Sequence, residues 1–394
     1  MHRLGAWDRI LVNLRPSCGS FCVYQFEKML LKNTLACFVL AACTFDAHAE
    51  IKTLTDITGQ QVKLDLPAKR VALGFYFEDY LAVAGEKGWA NVVGISKDAW
   101  KGWRPASWKL YTDYIPSIDK LPDMGEVEVM TFSVEKVIEL KPDVLVLAEW
   151  QVQGLGSDID QIKSVGIPIV VVDYNAQKLE NHLKSTALLG EIAGQPSRAA
   201  AINKDYKDAI DDINARLAKA KLPKPKAYAE FGNKGPGEVG ISYGKNMWGG
   251  MIEQAGGINI TKPFVEWWGP INPEQVLASQ PEVILITGTE TAKSPTAMRI
   301  GQGVDRKETT ERLSGYTKRS GWDTLPAIKG QRLHALYQGA SRTQADYTMV
   351  QYIAKALYPA VFADLTPEKN YIDFYKKYLP VVPQGTFATD LNGK

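Results

Sequence analysis

Short apolar runs rich in valine and isoleucine recur along this chain, and between them apolar residues return every three or four positions. The runs predict strands at Arg70–Gly74, Val92–Ser96, Val144–Leu147 and Ile167–Asp173, then at Ala227–Phe231, Val283–Thr287 and Arg332–Tyr337. Near-continuous apolar strands alternating with helices belong to parallel sheets covered on both faces. Between the two sets lies the longest helical pattern, Pro196–Lys219, in which Ala199, Ile202, Tyr206, Ile210, Ile213 and Leu217 form one apolar stripe. Proline suits a first turn, and at 1.5 Å per residue such a helix would run about 36 Å. The segment Leu222-Pro-Lys-Pro-Lys226 ends it, and closing helices are predicted near Asp346–Tyr358 and Pro367–Tyr378.

The chain also repeats itself. Ser133-Val-Glu135-Lys-Val-Ile-Glu-Leu-Lys-Pro142-Asp-Val-Leu-Val-Leu147 aligns without a gap to Asn272-Pro-Glu274-Gln-Val-Leu-Ala-Ser-Gln-Pro281-Glu-Val-Ile-Leu-Ile286, 139 residues further on. Each copy reads as an N-cap residue, a short helix, a Pro-acid turn and a buried strand. Self-similarity on this scale implies two lobes built alike. The expected fold class is α/β: two Rossmann-like lobes with mainly parallel sheets, residues 50–190 and 223–394, joined by one long α-helix within 191–222.

Composition narrows the function. At 394 residues the chain exceeds one ordinary core. Residues 1–49 hold five basic and three acidic residues, which leaves 41 of each sign in the remainder. So balanced a surface offers no footprint for nucleic acid. The cysteines Cys18, Cys22, Cys37 and Cys43 all lie near the N-terminus, which excludes a disulfide scaffold, a thiolate zinc site and a thiol nucleophile in the folded body. Only His182 and His334 remain there, too few and too far apart in sequence for a histidine metal cage.

From Met29 the chain reads as a signal peptide over residues 29–49: a basic start, an apolar run from Leu35 to Cys43, and Ala47-His48-Ala49 as a cleavage site. The run is too short to span a bilayer. Residues 1–28 have no place in such a signal and suggest an over-extended start. Leu40-Ala41-Ala42-Cys43 also resembles a lipobox, so lipidation at Cys43 stands beside free secretion. Either route puts the mature protein outside the cytoplasmic membrane.

The motif small-x-Glu-x-Val, followed by Pro-acid and an apolar strand, occurs once on each side of a long helix. This arrangement, over roughly residues 51–380, resembles class III periplasmic binding proteins, the family serving ferric siderophores, cobalamin and haem. The resemblance implies a periplasmic, non-enzymatic and monomeric capture protein with no cofactor or metal of its own. Its partners would be an ABC permease dimer and the attached ATPase subunits. It also implies that Glu135 and Glu274, one per lobe, meet arginines of the two permease subunits, a geometry suited to orientation-fixing contacts. First-turn acids are favoured by the helix dipole as well, by about 0.3–1 kcal/mol, so helix stabilisation is the competing account.

In open α/β sheets ligands bind beyond the carboxyl ends of the strands. Those positions hold Phe75, Tyr76 and Phe77, Glu149 and Trp150, Phe231, Tyr243 and Trp248, and Tyr337 with Arg342. Two loops add Trp100, Lys101, Trp103, Arg104 and Trp108, and Glu266, Trp267 and Trp268. The candidate ligand contacts are Tyr76, Trp103, Arg104, Trp150, Trp248, Trp267, Tyr337 and Arg342, since rings supply stacking area and arginines neutralise an anion. A ferric siderophore fits this set best. Haem through Tyr76 or Tyr337, cobalamin and oxyanions such as molybdate remain open, as do an exported enzyme and a ligand sensor of the same fold. Gly235-Pro-Gly237-Glu-Val-Gly240 matches a dinucleotide-binding pattern, but the residues after it are turn-like and no helix follows.

Overall fold

Alternation along one strand shows how the first sheet is held. In Val144–Ala148, residues Val144, Val146 and Ala148 join one apolar cluster, while Leu145 and Leu147 join another on the opposite face. Covering both faces is what a parallel sheet requires, and each buried valine or leucine contributes about 1.5–3 kcal/mol. The computed structural model describes residues 50–291 and 295–393. The predicted leader, with its cleavage site and Cys43, lies outside them.

The first sheet is parallel throughout, with strands ordered Val92–Ile95, Val71–Leu73, Val144–Ala148 and Ile169–Val172. The second has a parallel centre of Lys226–Phe231, Val283–Gly288 and Leu333–Tyr337. Antiparallel strands Ile241–Tyr243 and Trp268–Pro270 extend one side of it, and Ala388–Asp390 the other. The expected two-lobed α/β architecture is therefore present, with antiparallel flanks that the apolar runs did not announce. Those flanking strands are three residues each, too short to show a period. The hairpin Glu50–Thr55 with Gln61–Leu66 was also not foreseen, although Val62, Leu64 and Leu66 alternate inward.

The long helix spans Pro196–Ala220 and buries Ala199, Ile202, Tyr206, Ile210 and Ile213, the expected stripe. It packs against helices Phe77–Trp89 and Leu179–Ala193 from the first lobe and Tyr347–Leu357 from the second. Lys221 ends it in a left-handed conformation (φ 50°) before the proline segment. The two motif copies also fold alike. Val134–Leu140 is capped by Ser133, and Pro273–Ser279 by Asn272. Each then ends on a left-handed residue, Lys141 or Gln280.

Hydrogen bonds tie the lobes beyond the helix. Glu290, after the strand Val283–Gly288, accepts from the amides of Ala106 (2.8 Å) and Ser107 (3.0 Å) at the start of the helix Pro105–Tyr114. The buried carboxylate of Asp346 accepts from Gln177 (2.8 Å) and from Tyr206 of the long helix (2.9 Å), with His182 Nε2 at 3.2 Å. The amide of Gln344 donates to Asp79 at 2.7 Å.

Candidate functional site

Parallel strands deliver the residues that follow them to one edge of their sheet. In the first lobe that edge presents Phe75, Trp150, Asp173 and Asn175; in the second it presents Phe231, Thr289, Gln338 and Arg342. Together they line a cleft of about 610 Å³, within the range of about 300–1,000 Å³ common for ligand sites. Gly74 permits the tight turn into Phe75, because a Cβ there would stand 2.6 Å from Gln151 Oε1 and from Leu147.

The repeat continues into the wall. Glu128 and Trp267 each lie seven residues before their motif glutamate, and both line the cleft; so do Trp150 and Thr289, each fifteen residues after it. The wall is aromatic where the lobes face each other. Phe75 and Trp150 meet edge to face at 5.4 Å and 80°. The Arg342 guanidinium lies 4.6 Å from the Phe75 centroid and 5.7 Å from that of Trp150, in cation–π range. Trp103 lies 6.5 Å from Phe231 with the rings 29° apart.

Each wall arginine is met by a carboxylate. Arg104 pairs with Glu78, with both side chains nearly buried, and sits 5.5 Å from the Phe77 ring centroid. Arg342 approaches Glu128 at 3.5 Å, from one lobe to the other. Its φ of 50° falls in the left-handed region, a strained backbone of the kind that recurs at functional sites. Asp173 accepts from the amides of Asn175 (2.7 Å) and Ala176 (3.1 Å) and from Asn181 Nδ2 (2.9 Å). Burial pushes the Asp79 carboxyl up to about 7, against the opposing pull of the Gln344 amide. Burial, then the neighbouring Glu128, raises Glu126 to about 7. Glu149 is also raised, first by burial and then by Asp173.

Of the eight candidate contacts, Trp103, Arg104, Trp150, Trp267 and Arg342 line the cleft. The other three stand behind its wall, and their reading as contacts needs correction. Tyr76 is buried (3% exposed), and its hydroxyl accepts from the Tyr174 amide at 3.3 Å. Trp248 lies on the buried face of the helix Met247–Gln254 and donates to Gln338 Oε1 at 2.7 Å. Tyr337 donates to Glu290 at 2.7 Å. In each case the chain direction at the strand or helix end turns the ring inward, which spacing alone does not reveal. Sequence reasoning missed Glu128, Asp173, Asn175 and Asn246. Extending the repeat register would have found Glu128, and the strand-end rule would have found Asp173 and Asn175. Asn246 had no such signal. Among the described residues, no three His, Cys, Asp or Glu side chains cluster so as to hold a metal ion.

Glu135 and Glu274 sit in the first turns of their helices, and both are exposed. Neither forms an ion pair among the described residues. Ser133 donates to Glu135 at 3.0 Å; a backbone amide and then this serine hold that carboxyl below its ordinary value. Asn272 instead accepts from the Glu274 amide at 2.9 Å. The Gly235–Gly240 turn has a structural use: it wraps Arg319, which donates to the carbonyls of Pro236 (2.9 Å), Gly235 (3.2 Å) and Glu238 (3.1 Å).

Comparison with known proteins agrees with this architecture. A family model described as periplasmic binding protein matches residues 77–338, and the chain belongs to that family. A solved structure, the TroA-like periplasmic binding protein FepB from Veillonella parvula, superimposes with a TM-score of 0.81 at 33% identity, covering 87% of this chain and all of that one. Vitamin B12-binding protein of Yersinia pestis (strain Pestoides F) is 26% identical over 180 residues, 46% of this chain and 60% of that relative. The match thus spans somewhat under two thirds of that relative's length. An uncharacterized ABC transporter substrate-binding lipoprotein of Bacillus subtilis, YvrC, is 24% identical over 256 residues, 64% of this chain and 72% of the relative. These relatives are binding proteins and not enzymes.

Proposed function

We propose that this protein is the solute-binding component of an ABC importer, which captures an iron chelate, a ferric siderophore, between its lobes and hands it to a permease dimer. The observation that carries this reading is the cleft itself, whose walls combine Phe75, Trp150, Trp103 and Trp267 with polar strand ends from both lobes. Such a surface suits a bulky, partly planar ligand by stacking and apolar contact. Glu135 and Glu274 are the docking handles, exposed and unpaired at equivalent points of the repeat. The protein acts as a monomer outside the cytoplasmic membrane, and the bound chelate is cargo.

The vitamin B12-binding relatives favour a second reading, in which the same cleft takes a corrinoid. Tryptophan quenching by ferric siderophores, haem and cobalamin distinguishes the two. Saturable quenching by a siderophore alone supports the first, and quenching by cobalamin alone replaces it. Uptake of labelled ligand in cells carrying Glu135→Ala with Glu274→Ala should fall at least tenfold while binding persists; unchanged uptake would overturn the docking role.

A further inference from the structure

We infer that the cleft selects against anions and takes a chelate with no net negative charge, an inference that rests on the capture function proposed above. The charges in the wall carry it. Both guanidiniums are already countered, Arg104 by Glu78 and Arg342 by Glu128 at 3.5 Å. Lys245 lies at the exposed rim and is held by Glu266 at 2.7 Å. Lys178 is the remaining cation among the described lining residues, and the same wall presents Glu149 and Asp173. An anionic ligand would leave water for a wall whose cations are engaged, and a desolvated charge without a partner is strongly disfavoured.

The uncharged polar groups point the same way. Trp150, Asn175 and Asn246 line the cleft, and each has one buried polar atom without a hydrogen-bond partner among the described residues: the indole Nε1 and the two amide oxygens. A buried donor or acceptor left unmade is destabilising. A ligand with a neutral amide or hydroxamate rim supplies the complementary groups, directly or through water. Its apolar face would rest on Phe75 and Trp150, where Arg342 now lies. Glu128 is then a specificity-determining residue, since it engages the arginine that an anion would otherwise recruit.

Equilibrium dialysis of the mature protein, with bound metal counted by mass spectrometry, tests this. The probes are a trianionic ferric tris-catecholate, a neutral ferric tris-hydroxamate, haem and cyanocobalamin. The neutral probes should bind at least tenfold more tightly than the trianion or haem. Glu128→Gln should narrow that ratio at least threefold by strengthening the trianion. Tightest binding of the trianion or haem overturns the inference, as does a ratio unchanged by Glu128→Gln. Failure of both ferric siderophores with retention of cyanocobalamin overturns the iron reading and supports the charge selection. Failure of all four overturns both.

Discussion

Two arginines of the second lobe are each set against two aromatic rings and a glutamate, yet their surroundings differ in kind. Arg319 lies 4.3 Å from the Trp322 centroid and 4.9 Å from that of Tyr316, and it reaches both oxygens of buried Glu230 at 2.6 and 2.9 Å. With three loop carbonyls added, each of its three nitrogens donates. Arg342 stands over Phe75 and Trp150, but its ion pair with Glu128, the one it makes among the described residues, is 3.5 Å long and lies at the cleft. The same residue types build a fixed strut in one place and an exchangeable contact in the other. Hydrogen-bond saturation and depth separate them, since the Arg319 pair is 7% and 0% exposed and the Arg342 pair 18% and 28%.

The sharpest way to break this comparison is to remove each guanidinium. Arg319→Gln leaves Glu230 charged and buried, so urea unfolding should show a loss of about 3–5 kcal/mol. Arg342→Gln removes a partly solvated pair, and its loss should stay below about 1 kcal/mol. Equal losses would erase the distinction. Next in size is the pH response of Asp79 on the cleft wall, raised from 3.8 to about 7. A folded value above the unfolded one means that its stabilising contribution is complete below about pH 4 and lost as pH rises through 7. Asp79→Asn keeps an oxygen for the Gln344 amide and removes the titration. Its stability relative to wild type should therefore grow from about pH 4 to about pH 7 and level off above that, and a difference independent of pH would contradict the assignment. The smallest effect concerns the two motif glutamates, Glu135 and Glu274. Glu135→Ala with Glu274→Ala should shift stability by no more than about 0.5 kcal/mol, as for other exposed substitutions. A larger loss would return both residues to helix stabilisation.

The legible parts were those encoded by local period. Ala199 to Ile213 marked the long helix, and the doubled motif located two capped helices and two central strands. The Gly235–Gly240 pattern is followed by the strand Ile241–Tyr243, and its partner Arg319 lies some eighty residues on, with no spacing rule to connect them. The aromatic candidates show the same limit. Trp103, Trp150 and Trp267 reach the cleft, while Tyr76, Trp248 and Tyr337 brace it from behind. Neighbouring residues at the end of a strand, such as Phe75 and Tyr76, have the same apolar character and face opposite ways.

By itself the sequence determined the α/β order, the long helix between lobes, the strand ends that must meet at a cleft, and one first-turn glutamate at equivalent points of each half. These follow from periodicity and capping, which act over a few residues. The tertiary structure decided which rings face the ligand and whether each arginine still has charge to offer. Those outcomes depend on carboxylates brought from distant segments, Glu78 to Arg104 and Glu128 to Arg342. Electrostatic balance in a cleft is a property of the neighbours that folding assembles.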